Sequence, residues 1–219
     1  ARQLNGDNGQ TQQSLAIAGV GYVHFVRSPY AHARITAIDT SAAAGMPGIA
    51  GVWTAETLPM KSYQGFAAFP EVFNRPPLAV GKVRLVGDIV AVVVADTRAQ
   101  AEDAAEAVVV DYEPLPVVTD MEAALQPGAP VLFEEHGSNL IFETGIGLED
   151  KPLEGADTVA EVRMVSQRLA GVPMEPNGCV AVPEGENITI YIPSQNPIAV
   201  RDVIVAQCDL DPAKVRVLA

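Results

Sequence analysis

The residues best suited to chemistry form one short segment, Ser194-Gln195-Asn196-Pro197. Asn followed by Pro is typical of a helix start, because Asn caps the helix and Pro occupies its first position. The apolar run at 187–192 predicts a strand just before it. Where a strand end meets a helix N-terminus, free backbone N–H groups and the positive helix end favour an anion or an oxo group. Gln195 adds an amide donor for the same ligand, so the pattern predicts a binding site there.

Elsewhere the reactive residue types predict no self-sufficient active site. His24, His32 and His136 lack metal-ligand spacing to another His or carboxylate, so each is interpreted as structural. Cys179 and Cys208 form no CxxC pair, which argues against a zinc ribbon, an iron–sulfur cluster or a disulfide framework within the chain. We interpret Cys179 as a small core residue. No GxSxG, P-loop or GxGxxG pattern occurs, so a nucleotide-binding βαβ protein is disfavoured.

The composition indicates a soluble globular protein. Hydrophobic residues make up 48% and charged residues 19% of the 219 residues, which excludes a disordered chain. The net charge of −13, with 14 basic residues, argues against nucleic acid as a partner. The longest apolar run, 89–95, is far shorter than the roughly 20 residues of a membrane span. We therefore predict a cytoplasmic location.

Hydrophobic periodicity divides the first half of the chain into two similar modules. The first module is predicted to contain strands at 22–27, 34–39 and 49–54 and a short helix at 40–45. The second is a Val-rich run at 82–95, interrupted by a turn at Gly87-Asp88, then a helix and a strand at 108–112. Thr97 and Gln100 match a capping box that opens this helix. Strand, helix and strand in about 25 residues predict a compact βαβ-type unit.

The second half follows a stretch at 126–153 that is poor in periodicity and rich in Gly, Pro and acidic residues. Beyond it the sequence predicts a long strand at 158–169, a hairpin of strands 178–182 and 187–192, a helix from Asn196 to about Cys208, and a strand at 214–218. The predicted organisation is a tail at 1–14, a domain at 15–130, a linker at 131–156 and a second domain at 157–219. Because the sequence ends directly after a strand, we expect a piece of a longer polypeptide.

Three long blocks follow a recognisable pattern. The first is FVRSPYAHARI at 25–35. The second is KVRLVGDIVAVVVA at 82–95, followed by AEDAA at 101–105 and VDYEPLP at 110–116. The third is QR at 167–168, then PMEPNGCVA at 173–181 and SQNP at 194–197. In this order and at this length, the blocks resemble the large subunit of the xanthine dehydrogenase and aldehyde oxidase family, which includes the aerobic carbon monoxide dehydrogenases.

The resemblance implies an α+β protein, with an α/β-hammerhead domain followed by the start of a molybdopterin-binding domain. In the family, the glutamine matching Gln195 lies beside the molybdenum and donates a hydrogen bond to an oxo ligand. Glu175, Ser194 and Asn196 are then expected to support the framework of that site. The hammerhead domain is expected to be held together by Arg27, Ser28 and His32.

The resemblance also implies parts that these 219 residues lack. The family's Gly-rich pterin segment and its general-base glutamate lie further along the polypeptide. We therefore expect neither a catalytic residue nor a bound cofactor in this chain alone. For the complete protein, the resemblance implies molybdopterin-bound molybdenum, at which a hydroxo group attacks an electrophilic carbon. Electrons would then leave through an iron–sulfur small subunit and an FAD-binding medium subunit.

The sequence leaves open both the substrate and whether the protein is an enzyme or a docking module. The substrate is carbon monoxide, an aldehyde, or a purine or other heterocycle, because the residues that separate these lie mostly further along the polypeptide. The alternative of another class is a non-catalytic hammerhead module that docks an iron–sulfur partner subunit. A downstream reading frame that continues into a Gly-rich pterin segment would favour the enzyme.

Overall fold

The computed structural model describes residues 19–58, 60–63, 69–143, 153–167, 169–174 and 177–219. The strands within these ranges are β1 (Tyr22–Arg27), β2 (Ala33–Asp39), β3 (Ile49–Thr54), β4 (Lys82–Val83), β5 (Ile89–Ala95), β6 (Val109–Pro114), β7 (Val180–Glu184), β8 (Asn187–Tyr191) and β9 (Val215–Leu218). The helices are α1 (Ser41–Ala44), α2 (Arg98–Glu106) and α3 (Pro197–Cys208). None of the described helices is long and apolar enough to cross a membrane.

The two predicted modules interleave rather than fold separately. One sheet has the strand order β1-β5-β3 and the other the order β4-β2-β6, and all of their pairings are antiparallel. Each sheet therefore takes strands from both modules. The predicted βαβ-type unit of β5, α2 and β6 is wrong, because such a unit needs two parallel strands in one sheet, whereas β5 and β6 lie in different sheets.

Helix α2 covers the first sheet with a face of small side chains. Its N-cap is Thr97, whose Oγ1 accepts a hydrogen bond of 3.2 Å from the backbone N–H of Gln100, as the capping box predicts. Ala101, Ala104 and Ala105 are buried on the face that packs against β1 and β5. Because alanine projects only a methyl group, the helix lies close to the sheet, and the core cluster between them includes Ala91 and Val93 of β5.

We expect Ala104→Leu to lower the free energy of unfolding by about 1–3 kcal/mol, because three added carbons must enter a face with no free volume. Ala104 is fully buried in the main core cluster. Urea unfolding monitored by circular dichroism measures the change. The matched control is Glu102→Leu on the exposed side of the same helix, which should change the free energy by less than about 0.5 kcal/mol. Equal effects of the two substitutions would contradict this packing.

The third sheet contains the parallel strand pair of the described residues. β7 and β8 form an antiparallel hairpin, as predicted, and Gly185 takes a φ of +65° in its turn, a region that favours glycine. β8 and β9 pair in parallel, with α3 between them in the chain. The βαβ unit of this protein is therefore β8–α3–β9. Lys61 ties α3 to the first half of the chain through an ion pair with Asp209.

The long strand predicted at 158–169 does not occur among the residues of that range that the structure describes. Their side chains are exposed, with Val162 at 75% and Met164 at 83% exposure. Alternation of apolar and polar residues predicts which side chains face a sheet, but a strand also needs a neighbour to satisfy its backbone hydrogen bonds. The interpretation of Cys179 as a core residue is also wrong, because this cysteine is exposed just before β7.

Candidate functional site around Gln195

Gln195 lies in the short loop between β8 and α3, and its side chain is exposed. Its two neighbours fix the loop. Ser194 Oγ accepts a hydrogen bond of 3.1 Å from the backbone N–H of Asn196. Asn196 Oδ1 in turn accepts one of 3.0 Å from the backbone N–H of Ala199. Among the described residues none bonds to the Gln195 amide, so this amide is available as a donor to a ligand.

The helix N-terminus itself offers fewer donors than the sequence predicts. Asn196 and Pro197 occupy the cap and the first helical position, as predicted. Pro197 has no backbone N–H, and the N–H of Ala199 is already satisfied by the cap. In the first turn this leaves the backbone N–H of Ile198, which has no acceptor among the described residues. The loop and the first turn therefore offer two available donors, the Gln195 amide and one backbone N–H.

The loop sits at the carboxyl end of the parallel pair. The backbone N–H of Ile192 donates to the carbonyl of Leu218 at 2.9 Å, so the ends of β8 and β9 lie side by side. Ligands of α/β proteins bind outside the carboxyl ends of parallel strands, where the loops converge. The βαβ unit thus places Gln195 at the edge of the sheet where a ligand is expected.

Two of the predicted hammerhead residues are buried in the structural frame. Ser28 is 2% exposed, and its Oγ accepts a hydrogen bond of 3.0 Å from the backbone N–H of Tyr30. His32 is 4% exposed and its Nδ1 lies 2.7 Å from the carbonyl oxygen of Pro116. Since a carbonyl only accepts, Nδ1 carries the proton. Burial also raises the pKa of Tyr112, whose ring packs against that of Tyr30.

Asp88 is a structural residue that the sequence analysis missed. Its carboxylate is 8% exposed, accepts hydrogen bonds from the backbone N–H groups of Arg84 at 2.8 Å and Leu85 at 3.2 Å, and pairs with Arg75. The available signal was an acidic residue inside a Val-rich run, where an unpaired carboxylate is costly. Glu175, predicted as part of the site framework, lies outside the described residues.

Comparison with known proteins decides the family. Residues 12–116 match the α/β hammerhead domain of aldehyde oxidase and xanthine dehydrogenase. Residues 132–219 match a molybdopterin cofactor-binding domain. The chain belongs to the aldehyde oxidase and xanthine dehydrogenase family. The predicted resemblance and the α+β fold class, a hammerhead domain followed by the start of a molybdopterin-binding domain, are thereby confirmed.

Members of this family match the chain along its whole length. The large chain of carbon monoxide dehydrogenase from Hydrogenophaga pseudoflava is 37% identical over 100% of this chain and 29% of its own length. The large subunit of nicotine 6-hydroxylase from Paenarthrobacter nicotinovorans is 34% identical over 100% of this chain and 28% of its own length. The chain therefore spans less than a third of these relatives.

Solved family structures share the fold. Carbon monoxide dehydrogenase from Oligotropha carboxidovorans superimposes with a TM-score of 0.83 and 33% identity, over 94% of this chain and 28% of that chain. Quinoline 2-oxidoreductase from Pseudomonas putida 86 superimposes with a TM-score of 0.80 and 33% identity, over 93% of this chain and 27% of that chain. The aldehyde oxidase and xanthine dehydrogenase family thus accounts for both halves of the molecule.

Proposed function

We propose that this chain is the N-terminal part of the large subunit of a molybdenum hydroxylase of the carbon monoxide dehydrogenase or aldehyde oxidase type. The observation that carries the proposal is the succession of a hammerhead match and a molybdopterin-domain match over nearly the whole chain. The complete protein would oxidise a small molecule, and the 219 residues alone would be inert. Support for carbon monoxide or an aldehyde as substrate comes from relatives named carbon monoxide dehydrogenase and aldehyde oxidase.

The loop around Gln195 fits a cofactor that presents hydrogen-bond acceptors. Its amide is exposed and unused by the described residues, and Ser194 and Asn196 hold the loop backbone. We assign Gln195 the role of donating a hydrogen bond toward the metal centre of molybdopterin-bound molybdenum. When bound, that cofactor supplies Lewis-acid and redox chemistry. Glu175 is assigned to the framework of the same site.

The partners proposed for the complete protein are an iron–sulfur small subunit and an FAD-binding medium subunit. Among the relatives are a large chain, a large subunit and subunit gamma of a dehydrogenase complex, names that indicate multi-subunit assemblies. The described residues contain no cluster of His, Cys, Asp and Glu side chains that could hold a metal ion. We assign electron transfer away from the site to the two partner subunits.

Elemental analysis for molybdenum tests the proposal. The complete gene product, purified with its co-expressed partners, is compared with the 219-residue chain. We expect close to one molybdenum per complete large subunit and none on the shorter chain. Absence of molybdenum and of oxidoreductase activity from a fully folded complete protein would overturn the enzyme assignment in favour of a docking module. Stoichiometric molybdenum on the shorter chain would overturn the roles assigned to its residues.

A further inference from the structure

A concave pocket on the hammerhead half gathers basic side chains in an otherwise acidic protein. Its volume is about 320 Å³, at the lower end of the range for small-molecule sites. Among the described residues, its charged lining consists of Arg27, Arg75, Lys82, Arg84 and a single carboxylate, Asp88. The whole chain carries a net charge of −13, so this local excess of cations runs against the composition.

Two of the four cations are compensated by carboxylates. Arg75 pairs with Asp88, whose other carboxylate oxygen is occupied by backbone N–H groups. Lys82 donates to Glu134 at 2.6 Å, a hydrogen bond that holds the pKa of this carboxyl below its usual value. Arg84 lowers that pKa further through its charge, as the smallest of the contributions. Counted over the described residues, the pocket therefore keeps an excess of about two positive charges.

Arg27 and Arg84 form no ion pair with a carboxylate of the described residues. Arg27 Nη1 donates to the carbonyl oxygen of Gly87 at 2.8 Å, and Arg84 Nε donates to that of Leu132 at 2.7 Å. Neither acceptor carries a charge. Elsewhere in the described chain, five basic side chains each form an ion pair with a carboxylate, whereas the exposed Arg98 and Arg216 do not. Both of these arginines line the same pocket.

Both guanidinium groups are held in place before any ligand arrives. Arg84 stacks over the ring of Phe133 at 4.5 Å, and Arg27 over the ring of Phe25 at 5.5 Å. A guanidinium has five N–H donors, and in both Arg27 and Arg84 one of them donates to a described carbonyl oxygen. The planar fork that remains matches the paired oxygens of a carboxylate or a phosphate. Pre-fixed donors also reduce the entropy lost on binding.

The rest of the lining is largely apolar and includes Val72, Pro76, Pro77 and Phe133. We propose that this pocket binds a small organic anion, a carboxylate or a phosphate ester with a compact apolar body, through Arg27 and Arg84. None of the lining residues that the structure describes belongs to the loop around Gln195, so the pocket is separate from that loop. Anion binding at this pocket does not depend on the proposed oxidoreductase function.

Isothermal titration of the purified protein with benzoate and with phenyl phosphate tests the site, with benzyl alcohol as the uncharged probe. We expect saturable binding of at least one anion, about tenfold tighter than benzyl alcohol and weakened by added salt. The double substitution Arg27→Gln and Arg84→Gln should weaken anion binding by about tenfold or more. The matched control is Arg98→Gln with Arg216→Gln, two exposed arginines outside the pocket, and it should leave the affinity unchanged.

Thermal unfolding of every variant shows whether it is folded. If the double substitution prevents folding, Arg84→Lys keeps the charge but removes the planar fork, and we expect it to weaken binding several-fold. Which of the two anions binds identifies the head group. Absence of saturation up to about 50 mM of either anion would overturn the proposal, as would an equal loss of affinity in the control variant. Binding of a Glu-rich peptide but of neither small anion would also overturn it, in favour of an acidic protein partner.

Discussion

Asp88→Ala is expected to lower the free energy of unfolding by about 2–4 kcal/mol. The Asp88 carboxylate is 8% exposed and satisfies two backbone N–H groups, those of Arg84 and Leu85. It also neutralises Arg75, which lies on a different segment of the chain. The substitution leaves two donors without acceptors in a nearly dry position, and that penalty exceeds the modest value of a satisfied hydrogen bond. Urea unfolding of the purified protein measures the loss.

The control for this prediction is Glu113→Ala. Glu113 also pairs with an arginine, Arg34, but the two side chains are 60% and 52% exposed. An exposed ion pair contributes about 0–1 kcal/mol to stability, so Glu113→Ala should change the free energy of unfolding by no more than about 1 kcal/mol. Asp88→Asn keeps one oxygen for the backbone donors while removing the charge, and should fall between the two. A loss with Asp88→Ala as small as that of the control would show that the carboxylate is not part of the frame.

Gln195→Ala in the complete enzyme is expected to lower kcat by about 10- to 100-fold, the usual cost of losing a group that supports a metal centre. The prediction rests on the proposed function. Gln195 is exposed, and its amide has no other use among the described residues, so removing it should cost little stability. Steady-state kinetics gives kcat and KM, and elemental analysis gives the molybdenum content of the same preparation.

Two further variants separate a donor role from a structural one. Gln195→Glu keeps the size of the side chain but removes the amide donor, so its kcat should fall about as far as that of Gln195→Ala. Gln126→Ala changes another exposed glutamine, whose recorded hydrogen bond is a long local one of 3.5 Å, and should leave kcat unchanged. Unaltered kcat in both Gln195 variants at full molybdenum content would refute the assignment of this residue.

Local structure in this protein follows from local sequence. Thr97 and Gln100 start α2, Asn196 and Pro197 start α3, and Gly185 makes the turn between β7 and β8. These signals act between residues a few positions apart, through caps and allowed backbone angles, so no tertiary contact is needed to interpret them. The position of Gln195 at a strand-to-helix junction was predictable for the same reason.

Strand pairing depends on contacts between distant segments, which the hydrophobic periodicity of the sequence does not predict. β5 pairs with β1 and β3, while β6 pairs with β2, so two modules that look alike in sequence share their sheets. The predicted βαβ unit was misplaced, because a strand–helix–strand pattern does not say whether its strands meet. The alternating segment at 158–169 forms no strand in its described part, since no neighbouring strand satisfies its backbone.

The sequence by itself determined the starts of α2 and α3, the turn between β7 and β8, the resemblance to a molybdenum hydroxylase family and the position of Gln195 at a strand-to-helix junction. Only the tertiary structure brought together Arg27, Arg75 and Arg84, which line the same pocket. Arg27 and Arg75 lie 48 positions apart along the chain, and no short-range pattern connects them. Asp88 connects two of these segments, because its nearly buried carboxylate accepts from the backbone of Arg84 and pairs with Arg75. A carboxylate at such a position is costly without donors. Charged side chains from distant segments come together only when distant strands and loops pair, so the local sequence does not predict such a pocket.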